Sequence, residues 1–152
     1  MILASLMSGS RTIHLSAEAD FPSVRLLAAA CHGVLAEWGL SAERRSLLEL
    51  AVVEAATNVV RHAYRGRGGR VEVELTREGN AIALSVVDSG IPFDPTGVPP
   101  PREPDPADPS TWPEGGMGLP IIRAACDELR YGTEEGRNRL TLLLVADEIE
   151  AP

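Results

Sequence analysis

Nine of the twelve prolines fall between Pro92 and Pro113. Proline lacks an amide donor and fixes φ near −65°, so this run excludes a regular helix or a central strand. A loop of that length inside a compact domain is commonly functional or mobile. The 152-residue chain is thereby divided into a longer part before the loop and a shorter part after it, and one core must be closed across the break.

Before the loop, "RTIHLSA" (11–17) alternates apolar and polar residues and reads as a strand. The next stretch predicts a helix capped by Asp20, with Pro22 in its first turn and Val24, Leu27, Ala28, Cys31, Leu35 and Trp38 at helical spacing. Ser41 caps a second helix that runs to about Tyr64, where "RGRGG" stops it. "RVEVELT" and "AIALSVVD" form two strands around the turn "EGN", with Val71, Val73, Leu75, Ile82, Leu84 and Val86 facing inward. After the loop, "GMGLPIIRAACDEL" predicts a third helix and "RYGTEEGRNRLTLLLV" a closing hairpin.

The order β, α, α, β, β, loop, α, β, β predicts an α+β fold, a two-layer sandwich with helices on one face of a mainly antiparallel sheet. One domain is expected over 11–147, with a leader over 1–10 and a fraying tail over 148–152. The net charge of −8, with 22 acidic residues, argues against a nucleic-acid binder. Cys31 and Cys126 lack a CxxC pattern and read as reduced thiols, so a cytoplasmic location is expected. No stretch of the sequence reads as a membrane segment.

Three motifs stand out. In "ELAVVEAATNVVRHAY" (49–64) an apolar helix carries Glu54 and Asn58 one turn apart, about 6 Å along one stripe. Buried and unpaired, such groups cost several kcal/mol each, roughly, so something must satisfy them. In "VVDSGIPFDP" (86–95), Asp88 ends an apolar strand, placed to accept from an exocyclic amine, and Gly90 would let a planar ring approach the backbone. In "EGGMGLPII" (114–122), glycines 115, 116 and 118 precede a helix, an arrangement suited to phosphate. Taken singly, each has an ordinary structural reading: a solvated polar pair, a turn, a loop end. There is no GxxxxGK[ST], and the glycines follow a proline loop instead of a strand, so neither a P-loop nor a Rossmann fingerprint is present.

In this order and spacing the three motifs resemble the GHKL (Bergerat) ATPase superfamily, and most of all its anti-sigma factor serine/threonine-protein kinase branch. The resemblance covers about residues 11 to 145. It implies ATP and Mg²⁺ as cofactors, with Asn58 holding the metal and Glu54 as general base. Asp88 would read the adenine, Gly90 would admit the ring, Gly116 and Gly118 would cradle phosphates, and Thr141 would help hold adenine through water. Residues 94–115 would be the ATP lid, here proline-rich and acidic. Pro92 replaces the second glycine of the DxGxG box. The implied function is phosphorylation of a STAS-domain anti-sigma antagonist and sequestration of a sigma factor or equivalent output protein, in a family that often forms homodimers. A nucleotide-responsive switch that transfers nothing is the alternative; retention of Glu54 argues for the kinase, since pure binding needs no base.

Overall fold

The computed structural model describes residues 9–99, 102–111 and 118–146. Five strands, β1 (Arg11–Glu18), β2 (Arg70–Glu78), β3 (Ala81–Asp88), β4 (Glu128–Glu134) and β5 (Arg137–Val145), form one antiparallel sheet in the order β1-β2-β3-β5-β4. Three helices, α1 (Phe21–Glu37), α2 (Ala42–Asn58) and α3 (Gly118–Ala124), cover one face.

The local signals act as their chemistry dictates. Asp20 accepts from the Ser23 amide at 2.8 Å to start α1, and the Ser41 hydroxyl accepts from the Arg44 amide at 3.3 Å to start α2. Strand alternation sends Val71, Val73, Leu75, Ile82, Leu84, Val86, Leu140, Leu142 and Leu144 toward the helices. Leu75, Leu84 and Leu142 lie side by side in register across three strands, each fully buried. Burial of such a side chain contributes about 1.5–3 kcal/mol. Because β5 inserts between β3 and β4, chain from both sides of the proline-rich loop fills the middle of the sheet and closes a single core.

Two expectations change. The second helix does extend toward Tyr64, but after Asn58 it becomes a π turn over Val59–Ala63, in which the Tyr64 amide donates to the Val59 carbonyl. The third helix ends at Ala124, and Glu128 and Leu129 belong to β4. Sheet pairing decides this: the Asp127 amide donates to the Leu143 carbonyl at 2.9 Å, and the Asp127 carboxylate accepts from the Val145 amide. Among its described residues the proline-rich segment holds two single 3₁₀ turns, Pro95–Gly97 and Pro109–Thr111, each opened by a proline at a position where no amide is required. Most of the expected leader (1–8) and the end of the chain (147–152) lie outside the described residues. Among the described residues, no helix is long and apolar enough to cross a membrane.

Candidate functional site

The end of α2, the ends of β3 and β5, and the chain after β3 converge on one cavity. Asn58 is the last residue of α2, and Glu54 lies one turn before it; both are half-buried. Asn58 and Asp88 line the cavity together, between apolar walls of Ala55, Val59, Val86 and Leu140. Ile91, Phe93 and Pro95 line it on the loop side, and its volume is about 40 Å³. That is the space of one or two waters.

Asp88 is 9% exposed, and its carboxylate is fixed from one side. Its Oδ1 accepts from the Gly90 amide at 2.9 Å and from Asn138 Nδ2 at 2.8 Å. Asn138 Nδ2 also donates to the Gly90 carbonyl, and Asn138 Oδ1 accepts from the Thr133 hydroxyl at 3.2 Å. Among the described residues nothing donates to Asp88 Oδ2. One oxygen therefore anchors the group, while the other keeps its capacity to accept from a ligand.

Gly90 has a different structural role from the one expected. A Cβ there would lie 2.5 Å from the Ala63 carbonyl oxygen, and the Ile91 amide donates to that same oxygen at 2.9 Å. The space left by its missing side chain is filled by the π turn, so Gly90 lets the strand end dock onto the helix end. Tyr64 tightens the same junction: its hydroxyl accepts from the Ser89 amide and donates to the Arg70 carbonyl. Gly118, the first residue of α3, sits where a Cβ would be 2.7 Å from Glu54 Oε2, so the helix entry lies directly against the candidate base. Gly116 falls outside the described residues.

Thr141 is not brought to the cavity. Alternation along β5 sends Asn138, Leu140 and Leu142 inward, and Thr141 faces the opposite side, where its hydroxyl pairs with Ser85 Oγ at 2.9 Å. Asn138 stands where Thr141 was expected. The signal was available, because Asn138 shares its parity with Leu140, Leu142 and Leu144.

Residues of the closing segment were also missed. The Tyr131 hydroxyl accepts from the Phe93 amide at 3.0 Å, and the His62 ring packs on Phe93 with centroids 5.7 Å apart. Arg123 Nη2 donates to the Val98 carbonyl at 2.8 Å and reaches the Pro95 carbonyl at 3.4 Å, tying the segment to α3.

The donor set fits a nucleotide with a shared metal. A spare carboxylate oxygen at the base of a mainly apolar slot suits an exocyclic amine on a planar base. Among the described residues, no group of three or more His, Cys, Asp or Glu side chains forms a metal cage. Asn58 nonetheless supplies a hard oxygen donor, the type that holds Mg²⁺ jointly with phosphate oxygens.

A profile of the histidine kinase-like ATPase domain matches residues 16–144. The serine-protein kinase RsbW of Bacillus thuringiensis (strain Al Hakam) is 28% identical over 141 residues, covering 90% of this chain and 86% of the relative. The serine-protein kinase RsbW of Bacillus anthracis (strain CDC 684 / NRRL 3495) is 27% identical over 146 residues, with the same coverage. Among solved structures, the RsbU and RsbW domains of Rv1364c from Mycobacterium tuberculosis superpose with a TM-score of 0.62 at 20% identity. That match covers 90% of this chain and 32% of the larger one, and it shows a shared fold.

Proposed function

The chain belongs to the histidine kinase-like ATPase domain family, and from that premise we propose that it is an ATP- and Mg²⁺-dependent serine/threonine-protein kinase of the anti-sigma partner-switching type. The observation that carries the reading is the joint position of Asn58 and Asp88 on one cavity, with Glu54 beside them against the entry of α3. The relatives named as serine-protein kinases support the reaction class.

In this reading Asp88 Oδ2 accepts from the adenine amine, while Asn138 and the Gly90 amide hold the carboxylate in place. Asn58 and Glu54 flank the phosphates, and Gly118 keeps the backbone of α3 clear of side chain beside them. Bound Mg²⁺ would neutralise charge on the phosphate oxygens and orient them. Glu54 takes the proton from the attacking serine hydroxyl; the serine oxygen bonds to the γ-phosphorus, its bond to the bridging oxygen breaks, and ADP leaves. The substrate is a serine or threonine on a STAS-domain anti-sigma antagonist. The second partner is a sigma factor or equivalent output protein, which the kinase sequesters.

The test is Glu54→Gln, which keeps size and polarity but accepts no proton. ATP binding is expected near wild type, and transfer of radiolabelled phosphate to the antagonist is expected to fall by about 10²–10⁴. Equal transfer by both proteins would remove Glu54 as base. ATP binding without transfer to any STAS-domain protein of the same organism would leave a binding switch in place of a kinase.

A further inference from the structure

The overall charge of −8 conceals one strongly cationic stretch. Residues 61–70 contain Arg61, His62, Arg65, Arg67 and Arg70 and no carboxylate. Arg70 is engaged by Ser16 and Glu18. Arg61, Arg65 and Arg67 are exposed, and among the described residues none of them has a carboxylate partner. Arginines on the open face of the sheet are paired, Arg130 with Glu128, Arg137 with Glu72 and Arg139 with Glu74.

Local folding does not explain this loop. Arg65 has φ 52, while Gly66 and Gly68 take the other left-handed positions at φ 72 and 81. Arginine in that conformation costs about 1 kcal/mol relative to glycine. A glycine would satisfy the backbone at Arg65, so the side chain is what the position retains. The loop also joins two exposed aromatics. Arg61 lies over the Phe21 ring at 5.5 Å, His62 packs on Phe93, and the two phenylalanines are 49% and 44% exposed. Since Phe93 is also a wall of the cavity, the patch reaches the pocket mouth.

We propose that Arg61, Arg65 and Arg67, with Phe21 and Phe93, form the docking surface for an acidic protein partner. The assignment of that partner as the phosphoacceptor rests on the kinase reading. Arginine forks match carboxylates bidentately, and arginine beside exposed aromatics is the composition of protein-interface anchors. A nucleic acid fits less well, because three guanidiniums supply few phosphate contacts and the field of the rest of the molecule opposes a polyanion.

The experiment is titration of the ¹⁵N-labelled full chain, without ATP, with a short peptide carrying a serine flanked by aspartates and glutamates. Shifts are expected at Phe21 and residues 61–67, with affinity roughly fivefold or more weaker in high than in low salt. They are expected to vanish with the matching asparagine/glutamine peptide and in R65E/R67E, and to weaken in R65Q/R67Q, which keeps the loop's size. Absent shifts, shifts elsewhere, or equal binding of the neutral peptide would overturn the proposal. So would tighter binding of oligothymidylate at the same residues. The acidic loop of this chain is the remaining occupant: movement of the 61–67 signals in E103Q/D105N/D108N without peptide would assign the patch to it and overturn a partner. Because docking is read without ATP, peptide binding without phosphotransfer counts against the kinase reading alone. Phosphotransfer to a serine partner with unchanged KM in R65E/R67E counts against the docking surface alone.

Discussion

Asn138 Nδ2 donates to Asp88 Oδ1 at 2.8 Å across the β3–β5 pair, and both side chains are buried. The bond fixes the carboxylate that faces the cavity. Asn138→Ala removes one of its two donors and also leaves the Thr133 hydroxyl without its acceptor. A buried acceptor losing a donor costs about 1–3 kcal/mol. Thermal unfolding is therefore expected to occur at lower temperature, and calorimetry is expected to show ATP binding weakened by about tenfold, or ~1.4 kcal/mol. Thr141→Val is the control. It breaks only the Ser85 contact on the far face, so ATP affinity is expected to stay within about twofold, for a stability loss near 1 kcal/mol. A large loss of ATP affinity in Thr141→Val would return Thr141 to the site.

Adenine selectivity follows from the free oxygen of Asp88. GTP presents a carbonyl where ATP presents an amine, so ATP is expected to bind about ten- to hundred-fold more tightly, the worth of one charge-assisted bond of 1.5–3 kcal/mol. Asp88→Asn is expected to erode that preference. Competition between the two nucleotides against a fluorescent ATP analogue checks it, and equal affinities for the wild type would reduce Asp88 to a turn residue.

Phe93 and Pro95 line the cavity of about 40 Å³, and entry of a base is expected to displace them. Arg123 opposes that movement through the carbonyls of Val98 and Pro95. Arg123→Ala removes a charged donor worth about 1.5–3 kcal/mol. Stopped-flow mixing is expected to show ATP associating about tenfold faster with the variant, and the unfolding temperature is expected to fall by roughly 2–4 °C per kcal/mol lost. An unchanged rate would mean that the segment opens by another route.

Cys31 is buried in the core, and burial pushes its thiol up to about 12 from the ordinary 9.0. In the native protein it is expected to resist iodoacetamide at pH 8, while the half-buried Cys126 reacts slowly and both react fully in denaturant. The sign for stability follows from linkage. Between pH 9 and about 12 the unfolded chain loses the Cys31 proton and the folded chain keeps it, so this contribution is intact below pH 9 and declines as pH rises through that window. Denaturant midpoints of wild type and Cys31→Ala are expected to converge toward alkaline pH. A constant difference would show that the thiol titrates alike in both states.

The elements themselves were legible because their signals are local. Strand alternation, the Asp20 and Ser41 caps and the helical spacing of Val24, Leu27, Ala28, Cys31 and Leu35 each act within a few residues. The convergence of Asn58 and Asp88 was legible only as a motif order resembling a known family. Where readings missed, partners distant in sequence had decided the matter. The α3 helix stops short because β5 captures the Asp127 amide, a choice made 16 residues away. A π turn follows Asn58 instead of further α-helix, and its Ala63 carbonyl lies where the Ile91 amide meets it.

By itself the sequence determined the α+β order, the inward faces of the strands, the helix that carries Glu54 and Asn58, and the proline-rich break. Each of these follows from a residue's own backbone preference or from periodicity within one element. Tertiary structure alone decided that Asn138 and not Thr141 stands beside Asp88, that Gly90 makes room for Ala63, and that Phe93 lines the cavity. It also decided that, among the described residues, Arg61, Arg65 and Arg67 stand exposed without a carboxylate partner in a molecule of net charge −8. The reason is physical: hydrogen bonds, ring contacts and ion pairs are satisfied by whatever the fold brings within about 3–6 Å, and that neighbourhood is set by the packing of the sheet against its helices.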